Sequence, residues 1–126
     1  MTDLKFAKIN VRVRDRDAAV AYMRDVLGAT VVRQEDATPF GDMAIVEIGG
    51  LSIEILSPDR PDSALADLIE KRGEGIDSFA FYVDELDGPI AELESRGAKI
   101  VGREGRIAWI HPKNPLSAPI ELLTPE

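Results

Sequence analysis

Apolar and polar side chains alternate near the start of the chain, where Ile9 and Val11 lie between the polar Lys8, Asn10 and Arg12. A period of two residues is typical of a half-buried strand, because successive side chains of a strand point to opposite faces. We therefore predict a first strand with an apolar face toward a core and a charged face toward solvent or a cavity.

The pattern then changes to helical spacing. Val20, Met23 and Leu27 are three or four residues apart, which predicts a helix that runs to about Leu27 and buries this stripe. Either Asp15 or Asp17 is expected to cap its first turn, because a carboxylate there accepts hydrogen bonds from otherwise unpaired amides.

Two more helices are predicted further along. Ser63 is expected to cap a short helix over residues 64–72, directly after a proline-containing connector. Asp84 or Asp87 is expected to cap a second long helix that ends at Gly97. The remaining apolar runs predict strands at 30–33, 43–48, 51–56, 78–83, 98–101, 107–110 and 119–123, with a loop or frayed hairpin over 34–41 and an edge or strand-start position for the last one.

The order of strand, capped helix, glycine and three strands occurs twice. Val13 aligns with Val83, and five residues earlier in each copy Lys8 aligns with Ser78. A repeated order of elements predicts a duplicated structural unit. The repeat thereby relates positions that are far apart in the chain.

Each copy ends in an apolar strand that carries one carboxylate, Glu54 in the first and Glu121 in the second. An unpaired charge is costly in an apolar setting, so such a carboxylate faces solvent or a polar cavity. Two of them at matching places predict a shared polar site.

Composition limits the classes of function. The chain has 126 residues and a net charge of -8, which argues against a general nucleic-acid binder because phosphate contacts need clustered Lys and Arg. No apolar run has the ~20 residues of a membrane span, and the absence of cysteine excludes disulfide and thiolate chemistry. We expect a cytoplasmic protein that gains stability as a homodimer.

Several segments resemble the glyoxalase, or vicinal oxygen chelate, superfamily, and within it the methylmalonyl-CoA epimerases. These are Asp62-Ser63, the run from Glu70 to Gly75, the strand from Phe79 to Asp84, His111-Pro112-Lys113, and Ile120-Glu121-Leu122. The resemblance implies an α+β fold of two tandem βαβββ units that form a curved mixed sheet around a cavity. It implies one domain over residues 1–126, with units at about 5–57 and 76–124 joined by the helix at about 63–72.

The resemblance also implies a divalent metal held by two histidines and two Glu or Gln side chains. In this sequence the matching positions are Lys8, Glu54, Ser78 and Glu121, so both histidines are absent. An ammonium at Lys8 would repel a cation, and we predict no metal cofactor, although two carboxylates and a hydroxyl are able to hold a hard cation weakly.

We hypothesise that Lys8, Glu54 and Glu121 are catalytic: Lys8 polarises a carbonyl or stabilises an enolate, and one glutamate is the base. The alternative is a structural ion pair. The predicted substrate-binding residues are Asn10, Arg12, Ser78, Tyr82 and Lys113. For Ser78 and Lys113 a merely structural or solvated role is the expected alternative.

Other roles remain open at this stage. Trp109 either packs in the core or lines the cavity, and His111 is either a turn residue or close to a ligand phosphate. Glu47 and Glu35 are further candidates for a base on the third strand. The preferred function is proton transfer next to the carbonyl of an acyl-CoA or a similar small acid; the alternative is a metal-free small-molecule-binding or resistance-type protein, and a metal-dependent lyase or dioxygenase is disfavoured.

Overall fold

The computed structural model describes residues 2–125. Within them, eight strands and three helices alternate in the order that the repeat predicts. In chain order these are β1 (Lys5–Arg12), α1 (Arg16–Asp25), β2 (Thr30–Thr38), β3 (Gly41–Ile48), β4 (Leu51–Ser57), α2 (Ala64–Arg72), β5 (Gly75–Tyr82), α3 (Asp87–Ser95), β6 (Ile100–Glu104), β7 (Ile107–Ile110) and β8 (Ile120–Leu123).

The chain forms two compact units, one of residues 9–77 and one that combines residues up to 8 with those from 78 onward. In the first, the strands lie in the order β2-β3-β4-β1, with β1 and β4 parallel. In the second, the order is β5-β8-β7-β6, with β5 and β8 parallel. Each unit is thus a strand, a helix and three further strands, which confirms the predicted α+β class and βαβββ repeat.

Each half-sheet packs its apolar face on its own helix. In the unit of residues 9–77, the buried cluster under α1 contains Val20, Ala29, Ala44, Val46 and Ile55. In the other unit, the cluster under α3 contains Val83, Leu86, Ala108 and Leu122. Burying one large aliphatic side chain contributes about 1.5–3 kcal/mol, so these clusters supply much of the stability of each unit.

The first helix begins where the sequence predicts and ends earlier. Asp15 caps it, accepting a hydrogen bond from the Ala18 amide at 3.0 Å, so Asp15 and not Asp17 is the cap. Leu27 lies beyond the last turn and is 49% exposed, which makes its predicted burial wrong. Ala29 is buried instead of Leu27. Its amide donates a hydrogen bond to the Met23 carbonyl, which directs the chain back toward the core after the helix.

The prediction that Asp84 or Asp87 caps α3 is wrong. Leu86 is the N-cap position and makes no side-chain cap bond, whereas the Glu85 carboxylate accepts a hydrogen bond from the Gly88 amide at 3.0 Å. A Cβ atom at Gly88 would lie 2.5 Å from that carboxylate, so glycine leaves room for the cap. The short helix α2 is confirmed, with Ser63 as its N-cap and Gly73 at its end.

Residues 34–38 are strand rather than loop, which confirms the hairpin alternative. Strand β2 pairs with β3 through two irregularities in register, and the buried Arg16 side chain donates hydrogen bonds to the carbonyls of Glu35 and Met43. Burial opposes the charge of Arg16, but its bonds to Asp36 and Asp17 outweigh burial and raise the pKa of Arg16 above its usual value. Arg16 thereby fastens the hairpin to α1.

Two strand predictions near the end of the chain need correction. Strand β6 begins at Ile100 instead of Ala98, because the Ala98 amide still bonds to the Leu93 carbonyl at the end of α3. Strand β8 lies between β5 and β7, so it is not an edge strand. The strand-start alternative is confirmed, since Pro119 directly precedes Ile120.

Candidate functional site

The two carboxylates occupy equivalent register positions. Glu54 is the parallel partner of Asn10 in one unit, and Glu121 is the parallel partner of Ala80 in the other. Because Asn10 and Ala80 are also equivalent in the repeat, the strand pairing confirms the duplication that the sequence predicted. Each carboxylate also points to the face of its half-sheet opposite the apolar cluster, since the neighbouring Ile55 and Leu122 belong to those clusters.

Glu121 forms an ion pair with Lys8, which both the catalytic hypothesis and its structural alternative predict. The Lys8 Nζ and Glu121 Oε1 atoms are 4.0 Å apart, and their side chains are only 15% and 5% exposed. A buried ion pair needs good partners to offset desolvation of both charges. The structure therefore brings two of the three predicted catalytic residues together inside one unit.

Small buried residues lie on the strand next to this pair. Ser78 is 1% exposed and Ala80 is fully buried. Trp109 is the antiparallel partner of Glu121 and is partly exposed, so it is on the same face as the carboxylate. This settles the alternative that the sequence left open: Trp109 is outside the apolar cluster to which Ala108 and Leu122 belong.

Glu54 has different neighbours. Its cross-strand partners are Asn10 on β1 and Ile45 on β3, and its own side chain is half-buried. Asn10 is 2% exposed, which leaves it little surface for a ligand. The roles of Glu54 and Asn10 in catalysis and binding stay predictions.

The Arg12 side chain holds the segment after α2. Its Nη1 atom is 2.7 Å from Asp77 Oδ1, and its Nε donates to the Gly73 carbonyl at 2.9 Å. A guanidinium engaged in this way stabilises the loop, and binding of a substrate carboxylate would have to compete with Asp77. Arg12 therefore has a structural role, and its role in substrate binding stays a prediction.

The remaining predicted binding residues are more exposed. Tyr82 is 39% exposed at the end of β5, and Lys113 is exposed in the loop between β7 and β8. His111 Nδ1 accepts a hydrogen bond from the Lys113 amide at 2.8 Å, which is the turn role proposed for it. Asn114 organises the same loop, since its side-chain amide donates to the carbonyls of His111 and Ala118. No pattern in the sequence predicts this role of Asn114.

Of the two further candidates for a base, Glu47 lies on β3 and Glu35 on the edge strand β2. Glu47 is exposed and pairs in register with Ser52 and Thr30. Glu35 forms an ion pair with Arg33 at 2.8 Å.

At the four positions that the resemblance assigns to metal ligands, Lys8 disfavours a divalent ion, and the absence of a metal cofactor stays a prediction. The ammonium of Lys8 has no lone pair to donate, and its charge would repel a cation bound by Glu121. Within residues 2–125 no group of three or more His, Asp or Glu side chains is arranged to hold a metal ion, which by itself leaves the prediction untested.

An open groove of about 1040 Å³ lies on the connector and the start of α2, away from the predicted site residues. Arg14 and Arg60 line it, but Arg14 forms an ion pair with Glu70, and Arg60 with Asp59 and Asp62. Its lining carries two arginines against the four carboxylates Asp59, Asp62, Asp67 and Glu70, so the groove has a net negative charge.

The family model for the glyoxalase/bleomycin resistance protein/dioxygenase superfamily matches residues 8–111. The chain therefore belongs to this superfamily. Its relatives include the human mitochondrial methylmalonyl-CoA epimerase, which is 24% identical over 84% of this chain; the chain spans 65% of that protein's length.

Solved structures agree in fold. The methylmalonyl-CoA epimerase from Mycobacterium tuberculosis is 30% identical with a TM-score of 0.83, over 97% of this chain and 88% of that one. A methylmalonyl-CoA epimerase in complex with methylmalonyl-CoA and NH4+ is 28% identical with a TM-score of 0.82, over 96% and 94%. None of the helices described here is both long and apolar enough to span a membrane.

Proposed function

We propose that the chain catalyses proton transfer at the carbon next to the carbonyl of an acyl-CoA thioester, as an epimerase-like enzyme without a divalent metal. The observation that carries this proposal is the buried Lys8–Glu121 ion pair, 4.0 Å between Nζ and Oε1, in a chain related to methylmalonyl-CoA epimerases. The proposal also predicts a cytoplasmic homodimer.

The chemistry follows from the charge of Lys8. A base removes the proton from the α-carbon, and the electron pair moves onto the thioester oxygen as an enolate. The Lys8 ammonium donates a hydrogen bond to that oxygen, which stabilises the negative charge where it develops. The base returns a proton to the α-carbon and regenerates the thioester. Glu54 or Glu121 is the base.

The ammonium group takes the part that a metal ion plays in the wider superfamily. A related epimerase was solved with methylmalonyl-CoA and NH4+ together, so an ammonium ion is compatible with that protein's substrate complex. Here the chain carries its own ammonium at a buried position.

The test is exchange of the α-proton of acyl-CoA thioesters in heavy water, followed by NMR in the presence of a chelator. We expect exchange by the unmodified chain and a loss of about 10²–10³-fold in Lys8→Met, since one donor to an oxyanion contributes about that much. Lys99→Met removes an exposed lysine outside the site and is the matched control.

Two results would contradict the proposal. Exchange that disappears on chelation and returns with a divalent metal, while Lys8→Met keeps full rate, would identify a metal enzyme. Binding of thioesters with no exchange in any of them would favour the small-molecule-binding alternative.

A further inference from the structure

An aromatic side chain lies beside the ion pair of the proposed site. Trp109 is the cross-strand partner of Glu121, and directly opposite side chains in an antiparallel pair lie about 4.5–5.5 Å apart at their Cβ atoms. On its other side Trp109 pairs with Gly102, where a Cβ atom would lie 4.0 Å from the indole Cδ1. The indole is thus flanked by a carboxylate on one strand and by a residue without a side chain on the next.

Small residues lie on the strand on the other side of Glu121 from Trp109. Ala80 is fully buried as the other strand partner of Glu121, and Ser78 is 1% exposed. Trp109 itself is partly exposed, so part of its large apolar surface is accessible. On this face of the half-sheet the indole of Trp109 therefore lies next to Glu121, which is paired with Lys8.

The charge of the pair decides which acyl group fits. Lys8 and Glu121 carry opposite charges 4.0 Å apart, so a carboxylate placed near Lys8 also meets the repulsion of Glu121. Such a carboxylate is already charged when it binds and must be desolvated beside Glu121, which is costly. The enolate differs, because its charge develops only as the base loses its own charge by accepting the proton, so the net charge of the site does not change. An uncharged acyl group has no such cost and gains from contact with the indole.

We propose that this site takes thioesters whose acyl group is uncharged and apolar, with Trp109 contacting the acyl carbons and Lys8 the carbonyl oxygen. The inference rests on the proposed function for the thioester part of the ligand. It departs from a malonyl-type substrate, which carries a second carboxylate.

The experiment uses two ligands of nearly equal size, isobutyryl-CoA and methylmalonyl-CoA, which differ by a methyl group in place of a carboxylate. The chain has one tryptophan, so its fluorescence reports on Trp109 alone. We expect a fluorescence change on titration and at least about tenfold tighter binding of isobutyryl-CoA, because only the carboxylate must be desolvated beside Glu121. Free CoA is the control for the shared part of the ligand.

Calorimetric titration extends the test to variants. Trp109→Leu should weaken isobutyryl-CoA about tenfold and reduce its advantage over methylmalonyl-CoA, and Trp109→Phe should retain most of the affinity. Tyr22→Leu removes an aromatic ring that is 58% exposed on α1 and should leave both affinities unchanged. Equal or tighter binding of methylmalonyl-CoA by the unmodified chain would overturn the inference. This result needs no variant, so it holds even if the Trp109 variants fail to fold.

The inference and the proposed function fail in different ways. Tryptophan-dependent binding of isobutyryl-CoA without proton exchange would uphold the acyl site and contradict the enzyme. Exchange in methylmalonyl-CoA, with no binding of isobutyryl-CoA, would uphold the enzyme and contradict the acyl site.

Discussion

The two βαβββ units share one register but differ in the side chains around their central carboxylate. In the unit of residues 9–77, Glu54 is half-buried and lies between Asn10 and Ile45. A polar amide on one side and an aliphatic chain on the other leave it partly open to water. This copy of the duplicated strand keeps the carboxylate without burying it.

In the second unit, Glu121 occupies the equivalent place between Ala80 and Trp109 and is 4% exposed. Lys8 compensates its charge. The same register has therefore produced a half-buried carboxylate in one copy and, in the other, a buried carboxylate beside Lys8. The duplicated backbone therefore places both carboxylates alike, while the residues on neighbouring strands determine how far each carboxylate is buried.

The largest effect is expected where the copies are alike, in the residue after each glutamate. Ile55 and Leu122 are 2% and 0% exposed in equivalent positions. Ile55→Ala and Leu122→Ala should each lower the free energy of unfolding by about 2–5 kcal/mol, since both leave a cavity. Urea denaturation measures this, with Leu51→Ala at a 42% exposed site on β4 as control. A loss close to that of the control in one variant alone would show that the copies differ in their cores as well.

A smaller effect should separate the two carboxylates. Glu121→Gln should cost about 1–3 kcal/mol because it leaves the Lys8 ammonium buried beside a neutral side chain, whereas Glu54→Gln should cost less than about 1 kcal/mol. A double-mutant cycle with Lys8→Met isolates the pair, and the double variant should recover part of the loss. Equal costs for Glu54 and Glu121 would remove the distinction between the two copies.

Much of this arrangement could be predicted from the sequence. The alternation around Lys8 and the order of elements gave the fold and the repeat, and the equivalence of Glu54 with Glu121 was confirmed by strand pairing. Tandem copies strengthen a weak local pattern, because the same element is predicted independently at two equivalent places in the chain. The repeat therefore carried more information than any single motif.

The side of the sheet on which Trp109 lies could not be predicted. Ile107, Trp109 and Ile110 are all apolar, so alternation gives no face for this short strand. Only pairing with β8, which sets Trp109 opposite Glu121, decides it. The Lys8–Glu121 contact depended likewise on side chains more than a hundred positions apart.

Helix capping provides the next, smaller contrast. Asp15 and Glu85 are equivalent in the repeat and accept hydrogen bonds from the equivalent amides of Ala18 and Gly88, both at 3.0 Å. Asp15→Ala should cost about 1 kcal/mol. Glu85→Ala should cost less, about 0.5 kcal/mol, because the longer side chain loses more rotamer freedom when it caps. The exposed Asp84 is the control, and a greater loss in Asp84→Ala than in Glu85→Ala would restore Asp84 as the cap.

The smallest effects concern acid stability. The hydrogen bond from the Thr2 side chain lowers the pKa of Glu92 on α3, and the bond from Arg24 lowers the pKa of Asp25 on α1. A carboxylate with a lowered pKa in the folded state stabilises the fold above its unfolded pKa, and this stabilisation is lost as pH falls through the folded pKa. Both groups should therefore contribute to unfolding in acid.

The two carboxylates should nevertheless differ in Glu92→Gln and Asp25→Asn. Arg24 and Asp25 are adjacent, so the unfolded chain can also form their contact, which reduces its effect on the folding equilibrium. Thr2 and Glu92 are 90 positions apart and meet only in the folded state. The ordinary pKa of the Glu92 carboxyl is about 4.5. Below that pH, the melting temperature of Glu92→Gln should fall less steeply than that of the unmodified chain. Asp25→Asn should barely change this dependence of melting temperature on pH. An equal or greater change in Asp25→Asn would mean that α1, and not the tie between Thr2 and α3, limits stability in acid.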